Sequence, residues 1–404
     1  MQNKMIKIAR KLHPARLSEL ATYLLKDEAI SGKLILGATL LALVIANTAL
    51  KSSYDAFWHM HFTIGLGDWT LSKDFQHWLD EGLMAIFFLV VGLELKREIV
   101  QGELRKFKTA ILPFAAAVGG MVVPALIYMS LNAGNDSFSG WAIPMATDIA
   151  FAIGILAFIG KGIPASIRLF LLTLAIVDDI GAVIIVAVFY SSGINIWMLL
   201  LASLVAIGVL VLQKKKLLSM TSFVIAGIVI WLAINASGVH ASIAGAMIGL
   251  LAPTVIRGRS KESITERLER FTIPVSTLTV VPLFAFANTG IALTLSSFEN
   301  DRALAIAGGI IIGLVVGKVV GIVGASWLMV RFRFAELPPA SNWNHVIGVG
   351  LLAGIGFTVS IFVTELAFTH QAYTDISKIS IFAASLINGC LGLWTLKYWP
   401  KNKT

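Results

Sequence analysis

Long runs of apolar residues, separated by short polar segments, make up most of this chain. A helix needs about 20 mostly apolar residues to cross a bilayer, so each long run predicts one membrane span. The pattern predicts an all-α polytopic membrane protein of about twelve spans within residues 32–397, preceded by segment 1–31, as a single domain over 1–404. We number the spans 1 to 12; they lie at about 32–50, 80–100, 109–131, 141–160, 166–191, 194–212, 218–235, 239–256, 272–294, 303–330, 343–368 and 374–397.

The connection between spans 1 and 2 has the pattern of a β-hairpin. Alternating segments at 62–66 and 69–71 flank Gly67 and Asp68, a two-residue turn signal. We therefore expect a small hairpin at about 61–72 on the external surface. Its open edges either have no role or pair with the same hairpin of a second subunit, which would make a homodimer.

Composition excludes a soluble enzyme. Hydrophobic residues make up 57% of the chain and charged residues 14%, whereas soluble domains have about 25% charged residues. The single cysteine, Cys390, cannot form an intrachain disulfide or a thiolate metal cluster. No cofactor is expected, and membrane lipid is the expected surrounding.

The basic residues predict the orientation of the spans. The net charge is +9, but the lysines and arginines lie in separate short loops, which argues against nucleic-acid binding. All but five of the 32 lie in the two terminal segments and in alternate loops, which the positive-inside rule places in the cytoplasm. Both termini are therefore expected to be cytoplasmic. The exceptions are Lys51, Lys73, Arg302, Lys378 and, inside span 10, Lys318.

Four ionisable residues lie deep inside predicted spans: Asp148 in span 4, Asp178 and Asp179 in span 5, and Lys318 in span 10. Each such residue costs about 2.5–3.5 kcal/mol on insertion and usually faces a cavity or marks an ion pathway. These four residues are the candidates for function.

Adjacent carboxylates disfavour joint ionisation, so at Asp178 and Asp179 protons and a small cation would compete. Na⁺ or Li⁺ prefers oxygen ligands, which these two carboxylates and the hydroxyl of Thr147 offer. A purely structural alternative is that the pair forms a salt bridge with Lys318 and holds the bundle together. An ion pair between Asp148 and Lys318 is a further structural alternative.

Spans 4 and 11 carry signals for an interruption near the middle of the membrane. Pro144 precedes Thr147 and Asp148 in span 4, and span 11 contains glycines at 348, 350, 354 and 356. Two broken helices leave partly charged half-helix ends. Asp148 is placed to neutralise N-termini and Lys318 to neutralise C-termini. Such a pair of interrupted spans indicates an inverted-repeat transporter with its site at the break.

Two stripes of small residues predict close helix packing. One stripe occupies positions 309, 313, 317 and 321 of span 10, and the other positions 241, 245 and 249 of span 8.

Several longer motifs point to one family. They occupy residues 46–47, 84–98, 146–152, 174–181, 237–240, 282–288, 317–318 and 354–358. With these motifs the sequence resembles the NhaA family of bacterial sodium/proton antiporters over nearly its whole length. The resemblance implies alternating-access, electrogenic exchange of cytoplasmic Na⁺ or Li⁺ for more external H⁺ across the bacterial inner membrane, with a role in sodium and pH homeostasis and no enzymatic activity.

The resemblance also implies residue roles. Asp179 matches the principal cation ligand and proton carrier, and Asp178 matches the residue that shares both roles and helps gate access. Asp148, Lys318 and Thr147 match the aspartate of the broken helix, the lysine that compensates the crossing, and the threonine beside the site. The hairpin matches the family's dimer contact.

Regulation by pH is the least determined part of the resemblance. Glu94 and Glu269 match the family's cytoplasmic cluster, whereas Arg270 and Ile273 stand where histidines occur in the best-known pattern. A cytoplasmic sensor would use the following residues: Glu94, Glu98, Glu262 and Glu269. His240 is either an interfacial residue or a pH switch.

Two other functions, an intramembrane aspartyl protease and a cation channel, fit the sequence less well than antiport. An intramembrane aspartyl protease needs two carboxylates on different helices that share a proton, whereas the tightest pair here is adjacent on one helix. A cation channel fits less well than occlusion and alternating access, because two spans are interrupted and a lysine lies near the acidic site.

Overall fold

The computed structural model describes residues 30–66, 69–105, 107–191, 193–255, 262–292 and 302–399. They form a bundle of helices with one two-stranded sheet. The helices of the first half are α1 Ile30–Ala46, α2 Lys51–Trp58, α3 Met84–Val100, α4 Phe107–Leu131, α5 Ile149–Ile159, α6 Ala165–Phe189, α7 Ile196–Lys214 and α8 Met220–Ala236. Those of the second half are α9 Ala241–Leu251, α10 Ile264–Val275, α11 Val281–Asn288, α12 Ala303–Ile312, α13 Lys318–Arg331, α14 Trp343–Ala353, α15 Phe357–Ala367 and α16 Gln371–Tyr398.

Shorter segments extend several of these helices. A three-residue turn Phe75–His77 and a π-helical segment Trp78–Leu83 lead into α3. Two further π-helical segments, Ser276–Val280 and Gly313–Gly317, join α10 to α11 and α12 to α13. Short 3₁₀ turns lie at Glu103–Arg105 and Gly160–Gly162.

Within the described residues, seven helical segments are long and apolar enough to cross a membrane, or nine if each of two bent helix pairs forms one span. The bent pairs are α1 with α2, at 117°, and α14 with α15, at 45°. Helices α8 and α9 are apolar but have only 17 and 11 residues, and α3 has 17 residues, four of them charged. The count of about twelve spans therefore stays a prediction.

The predicted hairpin is confirmed. Strand β1 (His61–Leu66) pairs antiparallel with β2 (Trp69–Asp74), in a register that sets His61 opposite Asp74 and Leu66 opposite Trp69. The turn residues 67 and 68 lie outside the described residues.

The two predicted interruptions are confirmed, although span 4 differs in detail. Its first half, Asp136–Met145, is a 3₁₀ helix containing Pro144, and the backbone is extended at Ala146 and Asp148 before α5 begins. Proline lacks the amide hydrogen that a continuous helix needs. In span 11, Gly354–Gly356 separate α14 from α15. The amide of Asp148 donates to the carbonyl of Ile355 (2.6 Å), so the two breaks face each other.

The small-residue stripes pack as predicted. A methyl group added at Gly245 of α9 would overlap the carbonyl oxygen of Ala85 on α3. One added at Gly249 would meet the backbone of Leu89 and Gly92, further along α3. Helices α4 and α13 touch in the same way, because methyl groups at Gly119 and Gly321 would each overlap the other residue's carbonyl oxygen. Helix α13 is therefore held at backbone distance from α4, which fixes the position of Lys318.

We predict that Gly245→Ala destabilises the protein by about 1–3 kcal/mol, because the added methyl group overpacks the α3–α9 contact. Thermal melting of the purified protein measures the effect. The matched control is Gly208→Ala on α7, where the new methyl group meets no atom within 4 Å. Equal melting temperatures for the two variants would contradict the close contact.

Candidate functional site

The aspartate pair lies in the middle of α6, and both side chains are buried, with 1% and 3% exposure. One oxygen of Asp178, Oδ2, accepts from Thr147 Oγ1 at 2.5 Å and forms an ion pair with Lys318 Nζ at 2.5 Å. Its other oxygen, Oδ1, is buried without a hydrogen-bond partner among the described residues. Only one of the two carboxylate oxygens of Asp178 therefore has partners among the described residues.

Asp179 has a different environment. Its carboxyl group has no hydrogen-bond or ion-pair partner in the part of the chain that the structure describes. The nearby charges of Asp178, Glu94 and Asp148 repel a negative charge there, while Lys318 attracts it. A buried, unpaired carboxylate is costly, so Asp179 requires either a proton or a cation. That requirement is what a carrier of exchangeable ions needs.

Asp148 caps two helices at the crossing of the broken spans. Its Oδ1 accepts from the amide of Phe151 at 3.1 Å, at the start of α5. Its Oδ2 accepts from the amide and the hydroxyl of Thr358, at 3.1 and 2.6 Å, at the start of α15. The prediction that Asp148 neutralises N-termini is confirmed, because its negative charge faces the positive ends of both helices.

The C-terminal ends at the crossing are also satisfied. Lys318 Nζ donates to the carbonyl of Met145, which ends the first half of span 4. Thr147 Oγ1 lies 2.7 Å from the carbonyl of Ala353, the last residue of α14. This hydroxyl has one hydrogen but two neighbouring acceptors, since Asp178 Oδ2 lies at 2.5 Å.

Asn388 of α16 completes the crossing and was missed in the sequence. Its Nδ2 donates to the carbonyls of Gly354 and Leu314, at 2.7 and 3.1 Å. Asn388 is fully buried. The available signal was an amide side chain inside an apolar span, which requires polar partners in the bundle interior.

Comparison with known proteins decides the family. The sequence pattern of the family described as Na⁺/H⁺ antiporter 1 matches residues 22–396. The Na⁺/H⁺ antiporter NhaA 1 of Clostridium beijerinckii is 43% identical over 371 residues, covering 91% of this chain and 92% of that protein. NhaA antiporters of Shewanella frigidimarina and Helicobacter pylori are 41% and 38% identical, covering 93% and 91% of this chain and 96% and 93% of their own lengths.

The chain belongs to the NhaA family of Na⁺/H⁺ antiporters. The resemblance inferred from the motifs is confirmed. Its bacterial NhaA relatives and its apolar helices together identify it as a multi-pass protein of the bacterial inner membrane. Because the relatives are named as transporters, none of them points to an enzyme.

The residues expected to act in NhaA-type pH sensing lie outside spans 4 and 11. Glu269 of α10 lies 3.7 Å from the guanidinium of Arg97 on α3, and Glu262 pairs with Arg270 at 2.6 Å. Glu94 interacts electrostatically with Asp179. Glu98 lies one turn further along α3 and is buried, at 8% exposure. His240 Nε2 lies 3.1 Å from the carbonyl of Tyr190.

A second polar network was missed in the sequence. The structure pairs Glu365 of α15 with Lys378 of α16 at 2.5 Å. Asp80 accepts from Asn288 Nδ2 at 3.1 Å, and Asn288 Oδ1 accepts from Gln76 at 3.0 Å. The signal was polar residues repeated near one end of spans 2, 9, 11 and 12, the external end in the predicted orientation.

No group of three or more His, Cys, Asp or Glu side chains able to hold a metal ion occurs among the described residues. The predicted donor set, two carboxylates from Asp178 and Asp179 with hydroxyl and carbonyl oxygens, stays a prediction.

We predict that Lys318→Ala destabilises this NhaA-family protein by about 3–5 kcal/mol, because it leaves Asp178 buried without its charge partner. Lys318→Arg keeps the charge and should retain more stability. The control is Lys73→Ala, whose ion pair with Glu81 is about a quarter exposed and is worth about 0–1 kcal/mol. The measurement is thermal melting of all three variants. Similar losses of stability in the two alanine variants would contradict the prediction that Asp178 depends on Lys318 as its buried charge partner.

Proposed function

We propose that this protein is a secondary active antiporter that exchanges cytoplasmic Na⁺ or Li⁺ for external H⁺ and thereby serves sodium and pH homeostasis. The observation that carries the proposal is the unpaired carboxyl group of Asp179, buried beside Asp178. The names of the relatives, each a Na⁺/H⁺ antiporter, support the same assignment.

In the proposed mechanism, Asp179 is the principal ligand of the transported cation and the main proton carrier. Asp178 adds its free Oδ1, and Thr147 and nearby carbonyls can complete an oxygen shell. A proton and a cation each neutralise Asp179, so they exclude each other. Loading with Na⁺ on one side and with H⁺ on the other produces exchange.

We further propose that exchange is electrogenic. The site contains two adjacent carboxyl groups and a lysine, Lys318, that shares a hydrogen bond with one of them. Release of one Na⁺ can therefore accompany uptake of more than one proton. Lys318 either carries one of these protons or has a structural role only.

Alternating access is the proposed way of exposing the site to each side. The two crossing segments are held mainly by side chains, among them Asp148 and Lys318. Non-helical backbone is tolerated inside a membrane where protein buries it or where it lines a water-filled cavity, and we propose that these two segments move. A continuous open pore, as in a channel, is not needed by this arrangement.

The remaining features of the proposal concern topology and assembly. We propose about twelve spans with an inverted repeat and both termini in the cytoplasm, supported by the distribution of basic residues. The β-hairpin, with its open edges, is the proposed homodimer contact. Glu94, Glu98, Glu262, Glu269 and His240 are proposed pH-regulating residues.

We predict that Asp179→Asn reduces Na⁺-dependent proton movement to background, because an amide cannot carry the exchanged charge. The measurement is Na⁺-induced collapse of a pH gradient in vesicles that contain equal amounts of folded protein. The matched control is Asp136→Asn, an exposed residue at the start of the 3₁₀ half of span 4. If Asp179→Asn collapses the pH gradient at the parental rate, Asp179 does not carry the exchanged ion.

A second prediction concerns competition. If H⁺ and Na⁺ compete at the aspartates, raising the pH should lower the apparent KM for Na⁺, by up to about tenfold per pH unit while the site is protonated. The maximal rate at saturating Na⁺ should change far less. A KM that stays flat between roughly pH 6.5 and 9, with a changing maximal rate, would indicate a separate pH gate instead.

A further inference from the structure

A cavity of about 550 Å³ opens at the face of the bundle that carries the basic loops, away from the aspartate pair. It lies between the first turns of α4 and α6 and the segment 333–339 that follows α13. We call it the basic-face cavity. Its polar lining consists of Lys108, Thr109, Ser166, Thr173, Arg333 and Glu336.

The electrostatics of this cavity favour an anion. The first turns of two 25-residue helices, α4 and α6, lie at its wall, so the positive ends of both helix dipoles are close to it. Lys108 and Arg333 add two positive charges. Glu336 is the one carboxylate among the lining residues, which leaves the cavity positive.

Its floor offers a hydrogen-bond donor that the protein does not use. Thr173 is 2% exposed and lines the cavity. Its hydroxyl group makes no hydrogen bond within the described part of the chain. One wall of the cavity is held by a hydrogen bond: Ser166 Oγ donates to the carbonyl of Pro339 at 2.5 Å and links the 333–339 segment to α6. An unpartnered buried hydroxyl group in the same cavity as two cations is suited to a phosphate oxygen.

The surroundings indicate an amphipathic ligand. Phe332 and Phe334 are 63% and 65% exposed, and Leu169 beside the cavity is 40% exposed. Arg331, Phe332, Arg333 and Phe334 alternate charge and aromatic ring, as residues do at the boundary between headgroups and acyl chains. The cavity is also much larger than one inorganic phosphate ion.

We propose that the basic-face cavity binds the phosphate headgroup of an anionic phospholipid. Lys108 and Arg333 pair with the phosphate, Thr173 donates from the floor, and the acyl chains run along Leu169 and Phe334. The lipid then bridges α4, α6 and the segment after α13, and so supports the helices that carry Asp178, Asp179 and Lys318.

The test is thermal melting of the full chain in nanodiscs of phosphatidylcholine alone and of phosphatidylcholine mixed with phosphatidylglycerol. A bound lipid stabilises the folded state by mass action, so phosphatidylglycerol should raise the melting temperature of the parent protein. The double variant Lys108→Gln/Arg333→Gln should lose this rise. Glu336→Gln should enlarge it, because it removes the opposing charge.

Two further variants separate binding from folding. Arg331→Gln removes an exposed charge next to the cavity without touching its lining, and should keep the rise. Arg333 has a φ of 60°, a conformation that glycine adopts freely. Arg333→Gly therefore removes the charge without straining the backbone, and should reduce the rise while the protein stays folded.

A final arm adds inorganic phosphate to phosphatidylcholine nanodiscs. If phosphate alone produces the same rise, the site takes a soluble anion and the lipid assignment is overturned. The proposal is also overturned if Lys108→Gln/Arg333→Gln keeps the parental rise, or if Arg331→Gln loses as much of it. Because melting is read without Na⁺ exchange, failure here leaves the antiport proposal standing.

Discussion

Breaking two helices inside a membrane is the constraint on which the rest of this structure depends. Each break leaves amides and carbonyls without a partner in their own helix, and an unsatisfied group inside a membrane costs several kcal/mol. The protein answers with side chains from other elements: Asp148 at the N-termini, and Lys318, Thr147 and Asn388 at the carbonyls. Three of the residues that look functional in the sequence, Asp148, Lys318 and Thr147, thus also satisfy the helix ends at the crossing.

The residues that hold the crossing therefore also surround the proposed ion site. Lys318 satisfies the carbonyl of Met145 and pairs with Asp178 at once. Of the four deep charged residues, Asp179 is the one whose side chain has no hydrogen-bond or ion-pair partner among the described residues. The close backbone contact of α4 with α13 through Gly119 and Gly321 keeps Lys318 in place, while Asp178 and Asp179 belong to α6.

The sequence predicted the local features that have a strong physical cost. Deep charges, Pro144 and the glycines of span 11 indicated the breaks because a bilayer tolerates such residues only for a reason. The hairpin followed from alternation around Gly67 and Asp68. The motifs led to the family that the comparisons confirm, and the assignment of site residues from them stays a prediction.

What the sequence could not predict depends on partners distant along the chain. Asn388 lies 34 residues from the carbonyl of Gly354 and 74 from that of Leu314, and no local pattern connects them. The pairing of Glu365 with Lys378 was missed because either residue alone could have reached water. The 3₁₀ form of Asp136–Met145 could not be predicted either, because Pro144 indicates a break but not the kind of helix that contains it.

The hydroxyl group of Thr147 has a consequence of its own. It holds one hydrogen between Asp178 Oδ2 and the carbonyl of Ala353. When Asp178 is ionised, that hydrogen can serve only one of the two oxygens. When Asp178 gains a proton, it can donate to Thr147, and Thr147 is then free to donate to Ala353. The last carbonyl of α14 therefore gains or loses a hydrogen bond with the charge of Asp178, so a single hydroxyl group couples the protonation of Asp178 to the broken helix.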